Sequence, residues 1–174
     1  MNNYKGLIFL GIFAAISLLM CGVFFTMGGI VNTGSSIPPG LYWKVDKPLA
    51  VGKTVVLCPA NQPIFQQARK KGLIKEGTCP DNYDSLMLTI VGKRKDIVTI
   101  NENGIFVNER LLPQSKPQLK DKDVQTIAMA SLTQYELKEN EVMLISGATE
   151  NPFDSRYFGP IEVDQIDSVI SPIF

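Results

Sequence analysis

The hydrophobic pattern of this chain has two regimes. Across residues 6–31 no side chain is charged. Such a run exceeds the roughly 20 residues needed to cross a hydrocarbon core, so it predicts one membrane-spanning helix. Residues 1–31 are then a short N-terminus and anchor, and residues 32–174 one domain. Beyond the anchor the apolar runs shorten to strand length. Residues 41–45 and 54–58 are β-branched or aromatic and bounded by Pro and Gly. Residues 63–71 predict a helix, with Pro63 in its first turn, Phe65 and Ala68 on one side and Gly72 as its stop. Residues 86–91 read as a strand. Residues 96–100 and 105–109 flank Asn101-Glu102-Asn103-Gly104, a hairpin signal. Residues 112–123 are polar and read as a loop, and residues 124–130 and 142–146 as further strands. The predicted fold class is mostly β: a transmembrane helix, then a compact antiparallel β domain with one short helix.

Composition narrows the chemistry. Without the anchor about 140 residues remain, enough for one domain with its own core. The formal net charge is zero and the basic residues are dispersed, so no nucleic-acid partner is expected. Histidine is absent, which excludes a Ser-His-Asp triad, a Cys-His pair and His-based zinc motifs within this chain. Lys5 precedes the apolar run and no Lys or Arg follows it until Lys44. That bias favours a cytoplasmic N-terminus and a translocated C-terminal domain. A cleaved signal peptide is the competing reading, but its apolar core spans only about 7–15 residues. A lipoprotein site at Cys21 is disfavoured by the bulky Met20 before it, and Cys21 reads as an apolar anchor residue. In an oxidising compartment Cys58 and Cys79 suit a disulfide; two separate buried thiols are the alternative. No third or fourth soft ligand lies nearby, so neither a metal nor a cofactor is expected.

The segment just outside the anchor carries the candidate chemistry: Asn32-Thr33-Gly34-Ser35-Ser36-Ile37-Pro38-Pro39-Gly40-Leu41-Tyr42. Read alone, it is either a polar linker or a nucleophile loop whose chain after Ser36 is stiffened by Pro38 and Pro39. A serine two residues before a proline, next to an anchor, resembles the nucleophile segment of the serine–lysine signal peptidases. Gly40-Leu41-Tyr42 after it is similar to the TraF-type conjugative-transfer peptidases, a branch of that superfamily. Cys58-Pro59, Phe65, Ala68, Gly72, Gly77 and Cys79-Pro80 resemble the cysteine-bracketed insert of that branch. Asp96, Val98 and Phe106-Val107-Asn108 resemble the strand pair after the superfamily's lysine. Phe153-Asp154-Ser155-Arg156-Tyr157-Phe158-Gly159-Pro160 looks like its Asp-Ser-Arg box. The resemblance runs from about Asn32 to Phe174 and implies a signal-peptidase-like β domain.

By that resemblance Ser36 is the nucleophile, and Asp154, Ser155 and Arg156 support it. A serine hydroxyl needs an adjacent base, and the family uses a lysine whose ammonium form burial disfavours. In the family that lysine follows two apolar residues; here Leu86-Met87 are followed by Leu88. Three explanations stand: a substitution that disables the enzyme, a base moved to Lys93 or Lys95, or a non-catalytic relative that binds the same substrate. Ser36 N–H is the expected oxyanion donor. Gly34 occupies the position where the wider superfamily has a helping hydroxyl, and Thr33 and Ser35 are the nearest substitutes. Asp154 and Arg156, two apart, are expected on one face of a strand.

The resemblance implies a single-pass protein of the bacterial inner membrane, with a cytoplasmic N-terminus and a periplasmic domain. Its implied partners are a pilin precursor, or another membrane-presented peptide, and the components of a conjugative type IV secretion system. Its implied activity is processing, with or without cyclisation, of that precursor. The alternative is a membrane-anchored factor that binds pilin without cutting it.

Overall fold

The uncharged N-terminal run is divided between two elements. The computed structural model describes residues 3–117, 127–147 and 152–173. Helix α1 spans Asn3–Thr26. Its segment Tyr4–Thr26 has a mean hydropathy of 2.6 and presents its side chains outward, which makes it long and apolar enough to cross a membrane. The helix does not reach Val31, where the apolar run ends. Gly28 takes a φ of 93°, and the chain re-emerges as strand β1, Gly29–Asn32. Hydropathy scores an apolar strand like an apolar helix, so the boundary lay in the glycines and not in the charge pattern.

Two antiparallel sheets follow. Their strands are β2 (Gly40–Val45), β3 (Thr54–Leu57), β4 (Leu86–Gly92), β5 (Ile97–Asn101), β6 (Gly104–Val107), β7 (Arg110–Leu111), β8 (Leu132–Glu136), β9 (Glu141–Ile145), β10 (Ile161–Glu162) and β11 (Ile166–Pro172). Helix α2 is Pro63–Lys70 and α3 is Ser155–Phe158. Among the described residues one sheet has the order β1-β2-β11-β3-β4-β9-β10 and the other β7-β6-β5-β8. The mostly β class read from the sequence is therefore the observed one.

Strand alternation builds the cores. Val55 and Leu57 of β3, Leu88 and Ile90 of β4, and Leu144 of β9 pack under Phe65 and Ala68 of α2. Met143 of β9 points the other way, into a second core with Val98, Ile100, Ile105 and Val107. One strand thus ties both sheets together. A third cluster places Ile37, Tyr42, Val56 and Ile170 on the far side of the large sheet.

Several elements differ from the sequence reading. Residues 127–130 form no strand, and residues 124–126 lie outside those described. Strand β8 was missed because Leu-Thr-Gln-Tyr-Glu is mostly polar, its Gln134 has a φ of 48°, and its ladder carries a bulge. Strand β11 was missed although it runs between β2 and β3. Asp167 and Ser168 mask it in the sequence; Asp167 accepts from the Lys44 ammonium of β2 at 2.7 Å.

Cys58 and Cys79 are joined, with Cα atoms 5.4 Å apart. The loop they close holds α2 and a turn that folds back on itself. Glu76 pairs with Tyr83, and Asp84 N–H donates to Lys75 C=O at 2.9 Å. At Gly77 a Cβ would strike the Asp84 backbone, so the close approach needs glycine. Breaking the disulfide is expected to lower the unfolding free energy by about 3 kcal/mol. Urea titrations of the full chain with and without reductant read this; equal midpoints would contradict it.

Glu141 clamps the β8–β9 connection. Burial alone would raise its carboxyl. The Lys138 N–H at 3.0 Å, the Tyr135 hydroxyl at 2.9 Å and the Lys138 ammonium outweigh burial and hold it below its usual value. A lowered folded pKa stabilises above the unfolded value, and that contribution is lost as pH falls through the folded value. Glu141→Gln is therefore expected to flatten the decline of Tm below about pH 4.3. An unchanged acid limb in thermal melts would contradict this.

Candidate functional site

A cleft of about 430 Å³ opens where β1 ends. One wall is residues 31–36. The other is residues 73–75 of the disulfide loop and residues 84–87, which lead into β4, with Phe153 also lining it. Ser36 sits on this lining and is half-buried.

The loop that carries Ser36 is shaped by Asn32, a residue the sequence reading passed over. Its buried carboxamide NH₂ reaches the carbonyls of Ile37 at 3.0 Å, Pro38 at 3.1 Å and Gly34 at 3.3 Å. Its Oδ1 accepts from Gly34 N–H at 3.0 Å. One side chain thus replaces the ladder that the loop leaves. An Asn two residues before a Gly was the available signal, an Asx turn. The Tyr42 hydroxyl adds a bond to Pro38 C=O at 2.7 Å.

Ser36 is anchored through its own carbonyl. Gly147 N–H donates to it at 2.7 Å, and Ser146 Oγ approaches it at 3.5 Å. Ser146 N–H in turn donates to Asp154 Oδ2 at 2.7 Å. The Asp-Ser-Arg box therefore stands directly behind the strand end that holds Ser36.

That box is not a strand. Asp154 is the N-cap of α3, its Oδ1 accepting from Arg156 N–H at 3.0 Å. The shared strand face expected of Asp154 and Arg156 is thereby corrected; the cap brings the two side chains together instead. Arg156 Nε donates to Oδ1 at 2.8 Å and Nη2 to Oδ2 at 2.5 Å. Both groups are almost completely buried. The remaining Arg156 donor capacity reaches Gln114 C=O at 3.1 Å. Ser155 Oγ accepts from Leu144 N–H at 3.0 Å.

Leu88 does not line the cleft among the described residues. Leu86 and Met87 do. Leu88 pairs with Val55 and is fully buried in the core beneath α2. Lys93 and Lys95 lie exposed in the turn beyond Gly92. They are at the opposite end of β4 from Leu86, about 20 Å of strand away. The structure therefore brings neither to the cleft. The ammonium-bearing side chain on the cleft lining is Lys75, exposed on the disulfide loop. Among the described residues no cluster of three or more His, Cys, Asp or Glu side chains suits a metal.

Removing one partner of the buried ion pair strands the other. Arg156→Met is expected to cost about 3–5 kcal/mol. Replacing Asp154 and Arg156 together by apolar residues should cost less than the two single changes summed. A double-mutant cycle on urea midpoints checks this, and simple additivity would contradict it.

The sequence has counterparts in known proteins. A family model described as signal peptidase, peptidase S26, matches residues 5–174. Two plasmid transfer proteins TraF from Escherichia coli are 37% and 36% identical over 157 residues, covering 90% of this chain and 89% and 88% of theirs. A conjugal transfer protein TraF from Agrobacterium tumefaciens is 26% identical over 177 residues, 100% of this chain and 98% of its own. A crystal structure of a signal peptidase I from Enterococcus faecalis overlays 72% of this chain and 98% of that chain, at a TM-score of 0.41 and 13% identity. The overlay is too loose to add to the sequence matches, and those suffice on their own. With the match running through apolar helix, cleft and Asp-Ser-Arg box alike, the chain belongs to the S26 signal peptidase family, hydrolases of the serine peptidase type.

Proposed function

We propose that this chain is a membrane-anchored peptidase of the conjugative type, with a cytoplasmic N-terminus and its β domain on the periplasmic side. Its site is built to process a pilin precursor, or a similar membrane-presented peptide, at Ser36, with Leu88 standing where the general base belongs, so that the unaltered chain is disabled for cutting. The observation that carries this reading is the position of Ser36, on a cleft at the end of the strand that follows the apolar helix. The TraF relatives, named for plasmid and conjugal transfer, support the conjugative setting, and the pilin substrate is part of the proposal.

The cleft suits an extended peptide. Pairing of β4 with β9 begins at Thr89, so the described ladder leaves residues 86–88 paired with β3 alone. A substrate strand pairing along residues 86–88 would present its scissile carbonyl to Ser36. Ser36 Oγ attacks that carbonyl, its proton passes to a base, and the C–N bond breaks as the leaving amine takes up a proton. Water then hydrolyses the ester, or an incoming amine forms a new peptide bond and gives a cyclic product. Gly34 N–H is already held by Asn32, and Ser36 N–H is the proposed oxyanion donor.

The weak point is the proton acceptor. Leu88 has none, and it occupies the position at which the family carries its lysine. A lysine there would be desolvated, which favours the neutral amine a base requires. The second reading, a factor that binds pilin without cutting it, rests on the burial of Leu88 in the core.

Mass spectrometry of a co-expressed pilin precursor separates the readings. The Leu88→Lys variant is expected to process the precursor at least about 100-fold faster than the unaltered chain, the contribution of a positioned base. Ser36→Ala should abolish processing in either background. Processing by the unaltered chain that Ser36→Ala abolishes would place the base elsewhere. Precursor bound but uncut by both the chain and its lysine variant would favour the binding factor.

A further inference from the structure

The joint between α1 and the sheet is built without slack. Met27 and Gly28 alone separate the last helical residue, Thr26, from β1. The backbone bonds run on through that pair. Met27 N–H donates to Val23 C=O at 3.0 Å and Gly28 N–H to Phe25 C=O at 3.1 Å, while Gly28 C=O accepts from Lys44 N–H of β2 at 3.0 Å. The helix ladder hands over directly to the sheet ladder.

Side chains lock the same joint. Phe24, on the last turn of α1, lies over Gly29 so closely that a Cβ there would enter its ring. Its ring also meets Trp43, the cross-strand partner of Gly29, at 5.5 Å between ring centroids and 77° between planes. Gly29 is buried under this pair of rings although it follows a helix with outward-facing side chains. A flexible tether needs none of this: no ring seated on a glycine, no continuous hydrogen bonding, no aromatic bracket.

We propose that Phe24, Gly29 and Trp43 form a rigid mount that fixes the height of the Ser36 cleft above the membrane. They thereby select substrates by the distance between their membrane span and the segment to be bound. This rests on the reading of α1 as an anchor and of the cleft as a peptide site. Strand β1 is four residues, about 13 Å of extended chain. A substrate that leaves the membrane beside α1 must cover the same height, so its bound segment begins about four to six extended residues from its span. Phe24, Gly29 and Trp43 are positioning residues; none of them is among the residues that line the cleft.

Trp43 is the chain's single tryptophan, so its fluorescence reports the mount directly. The full chain is placed in phosphatidylcholine vesicles whose acyl chains carry bromine near the headgroup. Strong quenching of Trp43 is expected. A variant with a six-residue Gly-Ser insertion between Thr26 and Met27 should lose at least half of it, with the fold checked by its intact disulfide. No quenching in the unaltered chain, or equal quenching in the insertion variant, overturns the mount.

The second arm uses membrane-anchored peptides that carry one photoreactive residue 2 to 12 positions from their span. Crosslinking to the unaltered chain should peak at one spacing, at least fivefold above spacings four residues away. In the insertion variant, and more weakly in Phe24→Ala, the peak should broaden and move outward. A flat profile in the unaltered chain, or the same sharp peak in the insertion variant, overturns the selection. Absence of crosslinking at every spacing overturns the peptide reading of the cleft and the selection with it. The fluorescence arm then still decides the mount, and neither arm requires turnover.

Discussion

The Asp154 carboxylate is the constraint on which the site depends. It is buried, and a buried charge is tolerated only when its lone pairs are filled. Arg156 fills two directions, its own cap N–H another, and Ser146 N–H the last. Each bond has a structural consequence. The cap starts α3. The Ser146 bond fixes the chain beyond β9, whose next residue, Gly147, holds the Ser36 carbonyl. The Arg156 guanidinium extends to the Gln114 carbonyl, beyond the small sheet. Through its partners this carboxylate thus joins the Ser36 loop, the strand shared by the two cores and the segment that follows β7.

Around that point the cleft is made of two walls of different character. The Ser36 wall is a loop whose shape is imposed by one buried amide, Asn32, and by the Tyr42 hydroxyl. The opposite wall belongs to a loop closed by the disulfide and pinned at Gly77. Neither wall owes its position to regular secondary structure alone. Side-chain-to-backbone bonds and a covalent link do what ladder bonds do elsewhere.

Much of this was legible in the sequence where a local signal coincided with the final environment. The strands from 41, 54, 86, 96, 105 and 142 and the helix at Pro63 stand within a residue or two of their expected places, because their apolar periodicity matched their burial. The Cys58–Cys79 link and the order of motifs pointed to the family that the whole-chain match shows. The failures have two causes. The end of α1 and the capping role of Asp154 are local backbone turns that side-chain pattern does not report, whereas the central strand β11 depends on partners far away in sequence. Asp167 looks like a loop residue until Lys44 is beside it. Asp154 and Arg156 look like a strand pair until the cap turns the backbone between them. Asn32 looked like part of a polar linker because its Asn-x-Gly signal announces a turn and not that three carbonyls converge on it.

Leu88 stands where the proposed chemistry requires a base. In the core it is an ordinary buried leucine packed with Val55, Leu57 and Leu144; as a catalytic position it is empty of chemistry. The central claim is that Ser36 keeps the place of a signal-peptidase nucleophile while its base is missing. Intact-protein mass spectrometry after exposure to a serine-directed acylating probe tests this most directly. The account predicts a single adduct, mapped to Ser36, on the Leu88→Lys variant and none on the unaltered chain. An adduct on Ser36 of the unaltered chain, or a lysine variant labelled anywhere but Ser36, would contradict it.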